Sequence, residues 1–236
     1  DPYVEKILDP TNDAFISPAT YPNLKAYPTG KTSGIVGVLK PRSDYKWKNK
    51  FSRPDPSQLV IYEVLLRDFL ENHDFNTLTD TLSYLKRLGI NAIELMPVSE
   101  FEGNLSWGYN PNFFFALDKY YGNENSFKRF IDSCHGKGIA VIMDIVLNHA
   151  TGTCPLAALY WDGINQRPSA DNPWFNVTAR HPFNVFNDFN HESKDTRYFT
   201  TRVIEYWLKE YNIDGYRFDL SKGFTQKNNP NDVNAF

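Results

Sequence analysis

The chain has little of several things that define common protein classes. Two cysteines, Cys134 and Cys154, among 236 residues make no metal-ligand spacing, and the sequence leaves both their pairing and the compartment open. There is no excess of positive charge: the formal net charge is −3, which gives no electrostatic reason to expect nucleic acid or an anionic membrane as partner. No run of eighteen apolar residues occurs, so no bilayer span is expected. The opening DPYVEKILDP has neither a basic region nor an apolar core, so any signal peptide is expected to be absent or already removed. No glycine-rich phosphate loop follows any apolar run, which argues against a nucleotide-binding fold or a phosphate-cradling barrel.

Aromatic residues, by contrast, are plentiful. Phe, Tyr and Trp make up 16% of the chain, and many sit in stretches rich in Asn and Pro. Flat apolar faces beside amide hydrogen-bonders suit a sugar, with its apolar C–H faces and hydroxyl rim, although aromatics also pack long loops. Residues 1–57 are rich in Pro, Lys and Asp without sustained periodicity and read as an extended entry segment. Four apolar runs then follow: LVIYEVLLRDF (59–69), NAIELMPV (91–98), AVIMDIVLNH (140–149) and DGYRFDLS (214–221). Between them lie stretches of helical spacing at 77–90, 124–139 and 195–213, and an aromatic, polar excursion over 150–194. Strands apolar on both faces, alternating with helices, predict a parallel sheet covered by helices. Charged and polar residues gather at the strands' carboxyl ends: Arg67 and Asp68, Glu94, Asp144 with Asn148 and His149, then Arg217 and Asp219. A β/α barrel builds its active site there. The prediction is an α/β fold, a partial (β/α)8 TIM barrel of about the first four units.

Two short constellations carry the chemistry. In DIVLNH, Asp144 lies in the strand while Asn148 and His149 stand at its exit. In GYRFDLSK, alternation places Arg217 and Asp219 on one face, with Tyr216 and Phe218 opposite. The guanidinium favours an ionised Asp219, as nucleophilic attack on an acetal carbon requires. A buried guanidinium between two acids can use its planar fork, so Asp144 is expected to be the main hold on Arg217, freeing one Asp219 oxygen. Each motif alone also has a structural reading, as a satisfied buried acid or a structural ion pair.

Taken in this order, DIVLNH and GYRFDLSK resemble the first and second conserved regions of the α-amylase family of glycoside hydrolases, family 13. SWGYNPNFFFALDKYYG (106–122) resembles the segment after the second strand in its pullulanase, isoamylase and branching-enzyme-like members. RHPFNVFNDFNHES resembles the close of the family's small domain B, and the opening resembles the junction between a β-sandwich and the barrel. The resemblance implies an entry segment (1–57) after an upstream β-sandwich, a first barrel part (58–149), domain B inserted after strand 3 (150–194) and a barrel continuation (195–236) truncated after strand 4. It implies a retaining hydrolase of α-glucans such as starch, glycogen, maltooligosaccharides or pullulan. Alternatives are a branching or transglycosylating enzyme and a non-catalytic glycan-binding protein. By resemblance Asp219 is the nucleophile and Arg217 orients it, while Asp144 holds the Arg. Tyr109 stacks on the sugar at the scissile bond, His149 hydrogen-bonds it, and Lys222 belongs to the substrate-binding set. Asn148 anchors domain B, directly or through calcium; no cofactor is required, and calcium is the one candidate metal. Two departures stand out. Gly223 follows Lys222 where the family often has His, and no Glu is recognisable as the general acid, so residues 1–236 alone are expected to be inactive.

Overall fold

The computed structural model describes residues 1–39 and 44–225. The predicted end of the barrel continuation, 226–236, lies outside the described residues. The strands are β1 (Ile7–Leu8), β2 (Val36–Gly37), β3 (Ile61–Val64), β4 (Ala92–Leu95), β5 (Ser99–Phe101), β6 (Pro111–Leu117), β7 (Ala140–Ile145), β8 (His149–Ala150), β9 (Trp161–Asp162), β10 (Arg167–Pro168), β11 (Asn187–Asp188) and β12 (Gly215–Phe218). The helices are α1 (Leu66–Phe69), α2 (Phe75–Arg87), α3 (Glu124–Gly136), α4 (Pro155–Ala158) and α5 (Lys194–Tyr211).

The four expected strands form one parallel sheet in the order β12-β7-β4-β3, with domain B inserted after β7, the third of them. Three helices cover one face, each started by a capping side chain. Asp74 accepts from the Thr77 backbone N–H, Asn123 and Ser126 form a capping box, and Ser193 accepts from Asp195. Their apolar stripes are fully buried: Leu78, Leu82 and Leu85 on α2, Phe127 and Phe130 on α3, Phe199, Val203 and Trp207 on α5. Left-handed backbone at Gly89 (φ 85°) and Asn212 (φ 58°) turns the chain out of α2 and α5.

Three expectations change. The strands are not apolar on both faces. Ile93, Leu95, Val141, Met143 and Ile145 are buried under the helices, while the register sets Glu63 beside Glu94 and Asp144 beside Arg217 on the other face. The run 59–69 is a four-residue strand followed by α1, and Ile61 is 46% exposed because β3 has a single strand neighbour in the sheet.

Residues 99–117, to which the sequence assigned no element, form the antiparallel β5–β6 hairpin. Its Phe114 backbone carbonyl accepts the Trp207 indole N–H at 2.9 Å. The entry segment, in turn, packs on the domain. Val4 and Ile7 pack against Phe113 and Ala116 of the hairpin. The Lys48 and Asn49 backbone N–H groups and the Tyr45 hydroxyl donate to Asp132 on α3, and Phe51 stacks on His135 at 4.4 Å. Both cysteines are free and buried.

Candidate active site at the strand exits

The site grows out of the sheet's ladder. Asp144 and Arg217 are register partners on β7 and β12, and the Asp219 N–H extends the ladder by donating to the Ile145 carbonyl at 3.0 Å. Asp144 is fully buried. Its Oδ2 accepts the Tyr109 hydroxyl at 2.7 Å and Arg217 Nη1 at 2.9 Å. The same Nη1 donates to Asp219 Oδ1 at 2.7 Å. The expected sharing of the fork is therefore corrected: one nitrogen bridges both acids, and Asp219 is held at least as closely as Asp144. The reason is exposure: the Arg217 side chain is not buried as expected but 42% exposed, so its other donors need no carboxylate. Asp219 Oδ2 takes no hydrogen bond among the described residues, so the expected free oxygen is there.

Electrostatics follow the burial. Desolvation raises the Asp144 carboxyl to about 6, against the pull of Tyr109 and Arg217. Burial works against the Arg217 cation, yet the bonds to Asp219 and Asp144 hold its pKa above the ordinary value. Burial, then the bond to Asp144, raises the Tyr109 hydroxyl, which keeps it a donor. Glu94, on the same face, is raised by burial and by Glu63.

Around this centre the remaining predicted residues fall as follows. His149 is buried, and burial lowers its pKa; its Nε2 donates to the Tyr109 carbonyl at 2.8 Å. That leaves Nδ1 as an acceptor, buried and without a partner among the described residues. His149 thus fixes the backbone of the very tyrosine whose hydroxyl holds Asp144. Lys222 places its ammonium 5.6 Å from the centroid of Phe183 in domain B. Asn148 donates from Nδ2 to the carbonyls of Asp219 (3.3 Å) and Leu220 (3.2 Å), while its own carbonyl accepts from Phe189. It clamps a strained turn, since Leu220 has φ 43°. The Phe189 bond and the β8–β11 pairing seat domain B over the exit of β7. Trp161 and Trp174 pack partly against the core, but Phe175 is buried in it, stacked on Phe189 at 4.2 Å, and is no part of a cleft wall.

The Gly223 departure has a steric cause that the sequence could not show. A Cβ there would lie 2.9 Å from Asn148 Cβ and 3.4 Å from His181 Nε2. His181 donates to Asp188 Oδ1 at 2.8 Å, and Asn176 donates to Asp188 Oδ2 at 2.7 Å, all three residues being buried. The acid that faces His149 across β8–β11 is therefore already neutralised by protein donors, and the Asn148 amide N–H groups face carbonyls. Among the described residues no cluster of three or more His, Cys, Asp or Glu could hold a metal. Protein donors thus occupy both Asp188 oxygens, and carbonyls take up the Asn148 amide N–H groups. Asn110 of the hairpin and His181 and Asp188 of domain B were missed as supports, because no motif in the sequence marks bonds such as Asn110 to the Glu102 carbonyl or His181 to Asp188.

The Alpha amylase, catalytic domain family model matches residues 47–192. The chain is 31% identical over 188 residues to malto-oligosyltrehalose trehalohydrolase of Saccharolobus solfataricus, covering 79% of this chain and 31% of that protein. It is 30% identical over 257 residues to chloroplastic isoamylase 1 of Oryza sativa subsp. japonica, covering 93% and 31%. The crystal structure of pullulanase type I from Bacillus subtilis complexed with maltose superposes with a TM-score of 0.62 at 30% identity, over 80% of this chain and 31% of that one. The chain thus spans about a third of the length of the curated relatives it matches. No helix among the described residues is long and apolar enough to cross a membrane.

Proposed function

Because the chain belongs to the α-amylase family of glycoside hydrolases, we propose that it carries the nucleophile side of an active site that cleaves α-glucosidic bonds in α-glucans by retaining double displacement. One observation carries the reading. Arg217 Nη1 bridges Asp144 and Asp219 at the mouth of the sheet and leaves Asp219 Oδ2 without a partner among the described residues. A carboxylate steadied on one oxygen and free on the other is shaped to attack an anomeric carbon. A structural ion pair gains nothing from that asymmetry, and neither does a pure binding site.

In this reading Asp219 Oδ2 forms the bond to the anomeric carbon as the glycosidic oxygen leaves with a proton from a general acid. Water then releases the sugar with its configuration retained. Arg217 orients the nucleophile, Asp144 and Tyr109 fix the guanidinium, and Tyr109 and His149 face the bound sugar with Lys222 and Phe183 at the domain B side. Asp144 is tied to Tyr109 and Arg217 and is not the acid; retaining chemistry needs a second carboxyl roughly 5 Å from the nucleophile, and we assign it to a segment other than the described residues. In this reading protein hydrogen bonds seat domain B, and the two displacement steps call on no cofactor. The relatives include a trehalohydrolase, an isoamylase, a branching enzyme and a pullulanase, so linear and branched α-glucans both enter the test.

The test is an assay of the purified native protein carrying this chain on pullulan, amylopectin and linear maltooligosaccharides. Reducing ends and product anomers are followed together. Release of α-anomeric products from at least one of these supports the reading, and net chain transfer without new reducing ends points to branching. Tight binding of all three with no bond cleaved would overturn it.

A further inference from the structure

A cavity of about 690 Å³ opens at the hairpin tip, lined in part by Asn12, Phe15, Glu102, Asn104, Leu105 and Asn110. We propose that it is an accessory subsite for an α-glucan chain, built jointly by the entry segment and the β5–β6 hairpin; this rests on the substrate class proposed above.

The cavity is built rather than incidental. Beneath it the Lys119 ammonium is buried, 3.0 Å from Glu100 Oε1 and 3.3 Å from Asp13 Oδ1. Burying three charges is costly, and here it fixes the short helical turn Asp13–Phe15 against the hairpin. Asn104 then donates to the Asn12 carbonyl at 3.0 Å, and Asn110 donates to the Glu102 carbonyl at 2.7 Å. Ser106 and Asn110 are hydrogen-bonded side chain to side chain, and the Gly108 N–H donates to Ser106 Oγ at 3.0 Å. On this rigid frame Phe15 and Leu105 are each 75% exposed. The Glu102 carboxylate takes no hydrogen bond among the described residues.

That combination matches a hexose: an apolar ring face to cover C–H groups, and acceptors placed for the hydroxyl rim. The amides are already bonded within the frame, but a dry protein partner would bury the Glu102 carboxylate unpaired, so the lining favours a hydrated ligand. Continuity sets which ligand. Asn110 in the cavity wall directly follows Tyr109, whose hydroxyl holds Asp144, so the cavity and the catalytic centre share one hairpin.

The experiment measures binding by titration calorimetry in the full-length protein carrying Asp219→Asn, so that no turnover intervenes. The probes are maltotriose and maltoheptaose. Phe15→Ala should weaken maltoheptaose about tenfold, Glu102→Gln a few-fold, and neither should move maltotriose by as much as twofold. Because both side chains are exposed, melting temperatures should match the parent. If both variants bind maltoheptaose within twofold of the parent, the cavity is covered by another part of the protein or left to solvent, and the proposal fails. If the parent binds no maltoheptaose, it fails as well. Turnover by the native enzyme is read separately, so a failed subsite with intact cleavage leaves the functional reading standing, and a confirmed subsite without cleavage does the reverse.

Discussion

Met143 and Asp144 are consecutive on β7 and equally buried, yet they belong to different regions of the molecule. Met143 joins Ile93, Leu95, Val141 and Ile145 on the helix-covered face, packed among the stripes of α2, α3 and α5. Asp144 joins Glu63, Glu94 and Arg217 on the opposite face, where burial, and after it a neighbouring carboxylate, raises Glu94 and Asp144. The first face is satisfied by dispersion and by water excluded. The second holds desolvated charge that contributes little to stability and gives the nucleophile its setting. A one-residue step along a strand thus separates the residues that make the fold from those that make the site.

Substitution on the charged face should cost chemistry and spare the fold. Asp219→Asn keeps the side-chain shape and one acceptor for Arg217, but an amide oxygen is no nucleophile. Turnover should fall about 10⁴-fold or more, with circular dichroism and melting temperature close to the parent. Ordinary turnover in this variant would remove Asp219 from its role.

On the covered face the cost should be reversed. Met143→Ala leaves a cavity between β7 and the helices, and the destabilisation should be about 2–5 kcal/mol in denaturant unfolding. The fraction that remains folded should cleave substrate at the parental rate. If instead turnover drops well beyond the loss of folded protein, the two faces are coupled and the division drawn here is too sharp.

Legibility in the sequence followed the same division. DIVLNH and GYRFDLSK announced both the strands and their charged face, since Asp144, Arg217 and Asp219 keep the period of two through an apolar run. The helices were legible from apolar residues at helical spacing, such as Leu78, Leu82 and Leu85. The β5–β6 hairpin was not, because all seven residues of β6 are buried and PNFFFAL has no alternation to betray a strand. The entry segment's docking was equally hidden. It depends on a few dispersed residues, Val4, Ile7, Asp13 and Phe51, whose partners lie some eighty to more than a hundred positions away. The single-nitrogen bridge and the steric demand at Gly223 are matters of ångströms, which spacing cannot express.

The pH dependence of stability separates the faces a third way. Asp144 is raised from 3.8 to about 6 in the fold. A carboxyl that is easier to protonate folded than unfolded stabilises the fold while protonated. That contribution is full below about pH 4, is lost as pH rises to about 6, and stays lost above. Its size is roughly 3 kcal/mol. In the Asp144→Asn variant this decline between pH 4 and 6 should vanish from urea unfolding free energies, whereas Met143→Ala should shift the whole curve down and keep the decline. An unchanged decline in Asp144→Asn would place the titration elsewhere.

The smallest effect is expected at the seat of domain B, where the charged face meets the insertion. A calcium ion there would need oxygen donors free to coordinate. Instead His181 and Asn176 both donate to Asp188, and Asn148 turns its amide N–H groups to the carbonyls of Asp219 and Leu220. Excess EDTA should therefore leave the melting temperature of the native protein and its turnover unchanged. Asn176→Ala, which removes one of the two donors to a buried carboxylate, should cost about 1 kcal/mol. The order of the two results is the test. If chelation lowers the melting temperature and calcium restores it, the protein donors around Asp188 are not what holds domain B over the exit of β7, and a metal does.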